Sequence, residues 1–97
     1  MKIKIGYELY NVIFHEDPIV CDDVRVEGYW EGTTQTIHIY KDLASTKKKQ
    51  VVMHELFHAI ENFFNIENVT EDQIQRLSTG ILMVLRDNKE LVKFLME

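Results

Sequence analysis

The sequence predicts an α+β fold: a small N-terminal sheet, antiparallel or mixed, packed on two main helices, with a short helix at the C-terminal end. Three observations predict it. Residues 1–45 favour strands, alternating apolar and polar positions from Lys2 to Leu9 and dense in threonine and aromatic side chains between Tyr29 and Tyr40, which suit a half-buried pleated surface. Residues 46–97 carry apolar residues at helical spacing. Between two such helical stretches, Thr70 followed by Gln73 has the pattern of a capping box, which marks a helix start.

The elements follow in order. Ile3, Ile5, Tyr7 and Leu9 alternate with Lys2, Lys4, Gly6 and Glu8. That period of two predicts a strand with one buried face, continuing through Val12 and Phe14. His15-Glu16-Asp17-Pro18 closes it, because the residue before proline is pushed toward extended conformations and proline has no N–H to donate. Residues 19–23 read as loop. Val24, Val26 and Tyr29 belong to a second strand, Glu31-Gly32-Thr33-Thr34 to a turn, and Thr36 to Tyr40 to a third strand with Ile37 and Ile39 on one face. The second and third strands form a hairpin. A helix runs from Ser45 or Thr46, either of which can cap it, to about Phe64, with Val52, Leu56, Ala59, Ile60 and Phe63 on its apolar side. Asn65 to Val69 turns the chain. The next helix has a stripe of Ile74, Leu77, Ile81, Val84 and Leu85, and Asp87-Asn88 breaks it before a final helix over Lys89 to Met96.

Composition narrows the function. A chain of 97 residues reads as a single domain, residues 1–97, with a modest core. Its apolar share of 45% and charged share of 28% are those of a folded protein rather than a disordered one. The formal charge of -5 argues against a phosphate-backbone binder, so no nucleic-acid partner is expected. Lys47-Lys48-Lys49 reads as a solvated helix face. Cys21 is the one cysteine, which excludes an intrachain disulfide and a cysteine-rich zinc knot and fits a reducing compartment. The N-terminal stretch lacks the apolar run and cleavage site of a signal peptide, and nothing approaches the roughly 18 apolar residues of a membrane span. The expected location is cytoplasmic, with no membrane partner.

The chemistry concentrates in His54-Glu55-Leu56-Phe57-His58. Positions i and i+4 lie one above the other on a helix, so two imidazoles there can share one zinc ion at about 2.0 Å each. Glu55 lies one step around the helix, badly placed for the same direct coordination but within reach of a metal-bound water, for which it is the general base. Zinc lowers the pKa of such a water from about 15.7 toward about 7 and polarises a carbonyl. Two histidines could equally be hydrogen-bonded core residues, but burying both without partners in the chain's best helix is costly, and one metal resolves that cost for both.

Catalytic zinc sites have three protein ligands and an open position. His15, His38 and Cys21 are candidates for the third, and Glu61 is placed to support His58 from one turn away. Glu71 is the stronger candidate: it opens the second helix and shares a face with Ile74 and Ser78, which must turn inward. Asp72 is one step away in register, and either acid also fits the positive end of the helix dipole.

With these residues in place, the stretch from about Gly28 to Leu85 resembles the compact zinc metallopeptidases of phage and mobile elements related to the ImmA/IrrE family, within the gluzincin-like group. The resemblance is carried by the strand Thr36-Ile37-His38-Ile39, the complete HExxH motif at His54, Glu55 and His58, and the acid-led helix Glu71-Asp72-Gln73-Ile74 with Leu77 and Leu82. It implies a minimal zincin-like fold with the strand nearest the helix at the cleft edge. It also implies Zn2+ as cofactor, His54, His58 and Glu71 as ligands, Glu55 as general base, and a protein substrate such as a repressor-type regulator. Two features depart from the family's pattern. Phe57 stands where a glycine usually precedes the second histidine, and the insert between the helices is short, leaving less chain to build substrate pockets. Tyr29, His38 and Tyr40 are candidates for stabilising an oxyanion, and Trp30 for a contact patch. An extended peptide can add to an edge strand through main-chain hydrogen bonds. The competing expectation is a non-enzymatic accessory protein of a phage or mobile element, with a structural metal.

Overall fold

The computed structural model describes residues 1–97. Six strands precede three helices: β1 (Lys2–Ile5), β2 (Glu8–His15), β3 (Ile19–Cys21), β4 (Val24–Val26), β5 (Gly28–Glu31), β6 (Thr36–Tyr40), α1 (Ser45–Phe64), α2 (Glu71–Asp87) and α3 (Lys89–Met96). Four strands form one sheet in the order β1-β2-β6-β5, mixed because β2 and β6 run parallel while the outer pairs are antiparallel. The hairpin of β5 and β6 therefore leaves β5 as an open edge. β3 and β4 form a separate two-stranded ribbon.

The expected first strand is two strands. Gly6 takes a left-handed φ of 57° and, with Tyr7, makes the two-residue loop that folds Ile5 back onto Glu8. The reversal changes which positions are buried. Tyr7 is 88% exposed, whereas Tyr10 and Val12 are buried. The segment expected as loop after Pro18 contains β3. Asp22 and Asp23 both have positive φ and turn it tightly into β4, a conformation that aspartate tolerates better than most residues. The expected second strand is likewise divided into β4 and β5, which lie in different sheets.

Only one face of the large sheet is covered by helix. Ile5, Tyr10, Val12, Ile37 and Ile39 pack with Val51 and Ala59 of α1 in one core, flanked by Trp30, Leu56, Ile60 and Phe63. Ala59 is fully buried, and its small side chain lets the helix lie close to the strands. Glycine at position 28 serves the same end: a Cβ there would stand 2.7 Å from Val51 Cγ1 and 2.8 Å from the His38 carbonyl oxygen. The helix begins at Ser45 after Ala44, so neither Ser45 nor Thr46 caps it with a side chain. Its other end closes in a left-handed Asn65, with Ile66 N–H donating to Glu61 O and Asn65 N–H to Asn62 O, the paired bonds of a Schellman cap.

Helix α2 packs on α1 rather than on the sheet. The capping box expected at Thr70 is present in both directions: Gln73 N–H donates to Thr70 Oγ1 at 3.1 Å, and Thr70 N–H donates to Gln73 Oε1 at 3.0 Å. Ile74 and Ser78 are the buried residues of the helix. The rest of the expected stripe is wider than the contact. Leu77, Ile81 and Val84 remain exposed because one neighbouring helix covers only a narrow strip. No helix is long and apolar enough to cross a membrane.

Candidate metal centre

His54 and His58 project from the middle of α1, and Glu71 stands at the first position of α2, where the capping box fixes its approach. The three converge. Glu71 Oε2 lies 2.8 Å from His54 Nε2, Glu71 Oε1 lies 2.9 Å from His58 Nε2, and the two Nε2 atoms are 3.3 Å apart. One ligand atom from each residue falls within 4.8 Å of the others, so the cluster can hold a metal ion. With bonds of about 2.0–2.1 Å, two ligands of a tetrahedral ion are about 3.3 Å apart. The histidine pair stands at that separation and the carboxylate oxygens are a few tenths of an ångström nearer.

The outer nitrogens explain which atoms face inward. His58 Nδ1 is 2.9 Å from Glu61 Oε1, and His54 Nδ1 is 2.8 Å from Gln75 Oε1. Both partners are acceptors, so the neutral tautomer that satisfies them carries its proton on Nδ1. In the neutral rings, each Nε2 then presents a lone pair toward the other and toward an anionic carboxylate. Three lone-pair donors aimed at one point repel unless a cation or added protons sit among them. That donor set fits zinc, which takes imidazole and carboxylate ligands and favours histidines held by a hydrogen bond on the far nitrogen.

Gln75 is the residue that sequence reasoning missed. It lies four positions after Glu71 and therefore on the same face of α2. Its amide nitrogen donates to Thr79 Oγ1 at 3.4 Å, which turns the amide oxygen toward His54. The i+4 spacing from Glu71 was the available signal.

Glu55 is 7% exposed, one of three buried polar residues in the protein. Burial pushes its carboxyl above the ordinary carboxylate range. The His54 and His58 imidazoles pull it down, Glu71 pushes it up, and the backbone amide of Trp30 pulls it down. It lies in a cleft of about 360 Å³ whose far wall is Gly28, Tyr29 and Trp30 of β5 and which also contains His54, His58 and Glu71. The open edge strand thus faces the triad across the cleft.

The other candidate ligands are elsewhere. Asp72 pairs with Arg76 at 3.0 Å. His15 and His38 meet on the sheet face away from α1, with His15 Nε2 2.8 Å from His38 Nδ1 and His38 Nε2 3.1 Å from Glu31 Oε1. Cys21 is a free thiol on the β3–β4 ribbon. Of the oxyanion candidates, His38 and Tyr40 alternate with the core residues Ile37 and Ile39 and point away from the cleft. The Tyr29 ring stacks on His38 at 4.2 Å on that same outer face, so at the cleft β5 offers main chain rather than the phenol. Trp30 faces inward, its indole N–H donating to the buried Tyr10 hydroxyl at 3.0 Å.

Comparison with protein-family models, with curated proteins and with solved structures finds no match to this chain. The class that fold and site define is therefore a small α+β protein with a histidine–histidine–glutamate cluster able to hold a metal ion.

Proposed function

We propose that this protein is a zinc-dependent metallopeptidase of the gluzincin-like, ImmA/IrrE-related type, hydrolysing a peptide bond in a specific protein substrate. One observation carries the reading: the triad of His54, His58 and Glu71 converges beside a buried Glu55 in a cleft bounded by an open edge strand. A bound zinc ion supplies Lewis acidity toward a carbonyl and acidifies a water. The chain's own groups do the rest. Glu55 accepts the proton of the attacking water at its carboxylate and delivers it to the leaving amine, a role favoured by the upward push of burial. The main chain of β5 aligns an extended segment of substrate by adding to the sheet edge. A flexible loop of a repressor-type regulator is the kind of substrate so shallow a cleft accepts. A lone free thiol supports a reducing compartment such as the cytoplasm.

A second reading has its own support. Only Ile74 and Ser78 of α2 are buried, so a metal joining Glu71 to α1 would do much to hold that helix in place. In this reading the protein is a non-enzymatic accessory protein with a structural metal. Metal content of untagged protein, compared with His54→Ala/His58→Ala, tests what the two readings share, and about one zinc per chain lost in the double variant is expected. Glu55→Gln then separates them. Labelling of new N-termini in a host lysate should show cleavage by the wild type and none by Glu55→Gln, with zinc content equal. A wild-type protein that holds zinc and generates no new N-termini would instead leave the structural-metal reading standing.

A further inference from the structure

The cleft continues past His58 into a pocket of about 270 Å³ at the C-terminal end of α1. Trp30 and Ile66 form its apolar sides, and Glu61, Asn62 and Asn65 its polar ones. Three features give it one electrostatic sign. Glu61 gives one carboxylate oxygen to His58, and its side chain is not part of any pair with a lysine or arginine. The pocket stands at the negative end of the α1 dipole, and the last turn of that helix carries no basic residue. The lining includes no lysine or arginine, and the whole chain carries a formal charge of -5. On the other side of the triad, the neighbouring recess already contains a cation, since Lys47 pairs there with Glu27 at 3.4 Å.

We infer that the pocket beside His58 receives a basic side chain of the substrate, arginine or lysine, next to the scissile bond, and that Trp30, Glu61 and Asn62 determine this preference. The chemistry is complementary. A guanidinium or ammonium finds an indole for cation–π contact, a carboxylate and side-chain amide oxygens as acceptors, and the methylenes of its stem find Ile66. The Trp30–Tyr10 hydrogen bond holds the aromatic wall in place before binding, so little ordering is required of it.

This inference rests on the peptidase reading. The test uses zinc-loaded protein and the hydroxamates of arginine, phenylalanine, alanine and glutamate, which share one chelating group and differ in side chain. Titration calorimetry should show the arginine compound binding about tenfold tighter than the alanine compound, equivalent to about 1.4 kcal/mol, and the glutamate compound weakest. Asn62→Lys places a competing ammonium at an exposed position of the pocket and should bring the arginine-to-alanine ratio to about one. Ile66→Lys, also exposed, provides the same test should Asn62→Lys fail to fold. Equal binding of all four compounds, or a ratio that survives both variants, overturns the pocket and leaves the metal centre standing. Tighter binding of the phenylalanine compound than of the arginine compound makes the pocket an apolar one and also overturns it. No binding of any hydroxamate to zinc-loaded protein sinks the peptidase reading together with this inference.

Discussion

Replacing Glu71 by glutamine removes a charge and keeps the shape, and its consequence can be worked through from the structure. The Glu71 side chain is 73% exposed, and its close contacts are the two imidazoles of the triad. Without metal, the substitution should therefore cost little, within about 0.5 kcal/mol, as exposed changes do. With metal it should matter greatly. Zinc held at a hundred times its dissociation constant adds about 2.7 kcal/mol to the folded state. For a domain of this size each kcal/mol moves the melting temperature by about 4–8 °C, so the wild type should gain about 10–20 °C. If Glu71→Gln weakens the site a hundredfold, only about 0.4 kcal/mol remains at the same zinc concentration, or about 2–3 °C. Asp72→Asn is the control, because Asp72 is committed to Arg76 and should leave the zinc shift intact. Differential scanning fluorimetry of the three proteins, with chelator and with zinc, reads all of this. The shift should also shrink as pH falls, because protons compete with metal for the imidazole nitrogens. A full zinc shift in Glu71→Gln, or its loss in Asp72→Asn, would refute the assignment of the third ligand.

Four further outcomes follow from single contacts. Gln75→Ala frees His54 Nδ1 from its acceptor and should weaken zinc binding by about 10–100-fold in a competition titration, with the apo melting temperature little changed. Glu55→Gln removes a carboxylate whose charged form is disfavoured by burial. A raised acid pKa destabilises the fold at pH values above the unfolded carboxyl range, so the metal-free variant should be at least as stable as wild type at neutral pH in urea unfolding. Gly6→Ala must adopt a left-handed φ and push its methyl into the Phe63 ring, at a cost of about 2–4 kcal/mol, while Gly80→Ala, in open space on α2, should add up to about 1 kcal/mol. Hydrogen bonds from Thr34 and His38 hold the Glu31 carboxyl below its ordinary value of 4.5, so its stabilising contribution is present above that pH and lost as pH falls through the lowered folded value. Stability measured from pH 6 to pH 3 should therefore fall less steeply in Glu31→Gln than in wild type, and parallel curves would dismiss the contribution.

The architecture divides the work between two helices that are held very differently. α1 is anchored in the core through Val51 and Ala59 and carries both histidines and Glu55. α2 brings Glu71 and Gln75 but buries only Ile74 and Ser78, and α3 buries nothing. The histidines thus stand on the helix that the core anchors, and the carboxylate on one with only two buried residues. A metal bound at the triad and α2 docking should be thermodynamically linked for that reason: the approach of Glu71 would gain from the packing of α2, and the packing from the metal.

Local patterns in the sequence were sufficient for whatever depends on neighbours a few residues away. The helix of His54 and His58, the capping box at Thr70, the break at Asn88 and the core face of Ile37 and Ile39 all follow from periodicities and short-range hydrogen bonds. The hairpin at Gly6 was also a local signal, but the continuing alternation from Ile3 to Leu9 masked it, since a tight two-residue turn leaves the period of two unbroken while exchanging the buried face. Other outcomes needed the whole chain. That β2 lies beside β6 in parallel, that His15 and His38 meet on the outer face, and that α2 covers α1 instead of the sheet are long-range facts to which no local period refers. The choice between Glu71 and Asp72 is the sharpest case. The two acids are adjacent and suit a first helical turn equally, so propensity and dipole cannot separate them. Successive helical residues point about 100° apart. Once Ile74 and Ser78 are seated against α1, that angle turns Glu71 toward His54 and His58 and leaves Asp72 to Arg76.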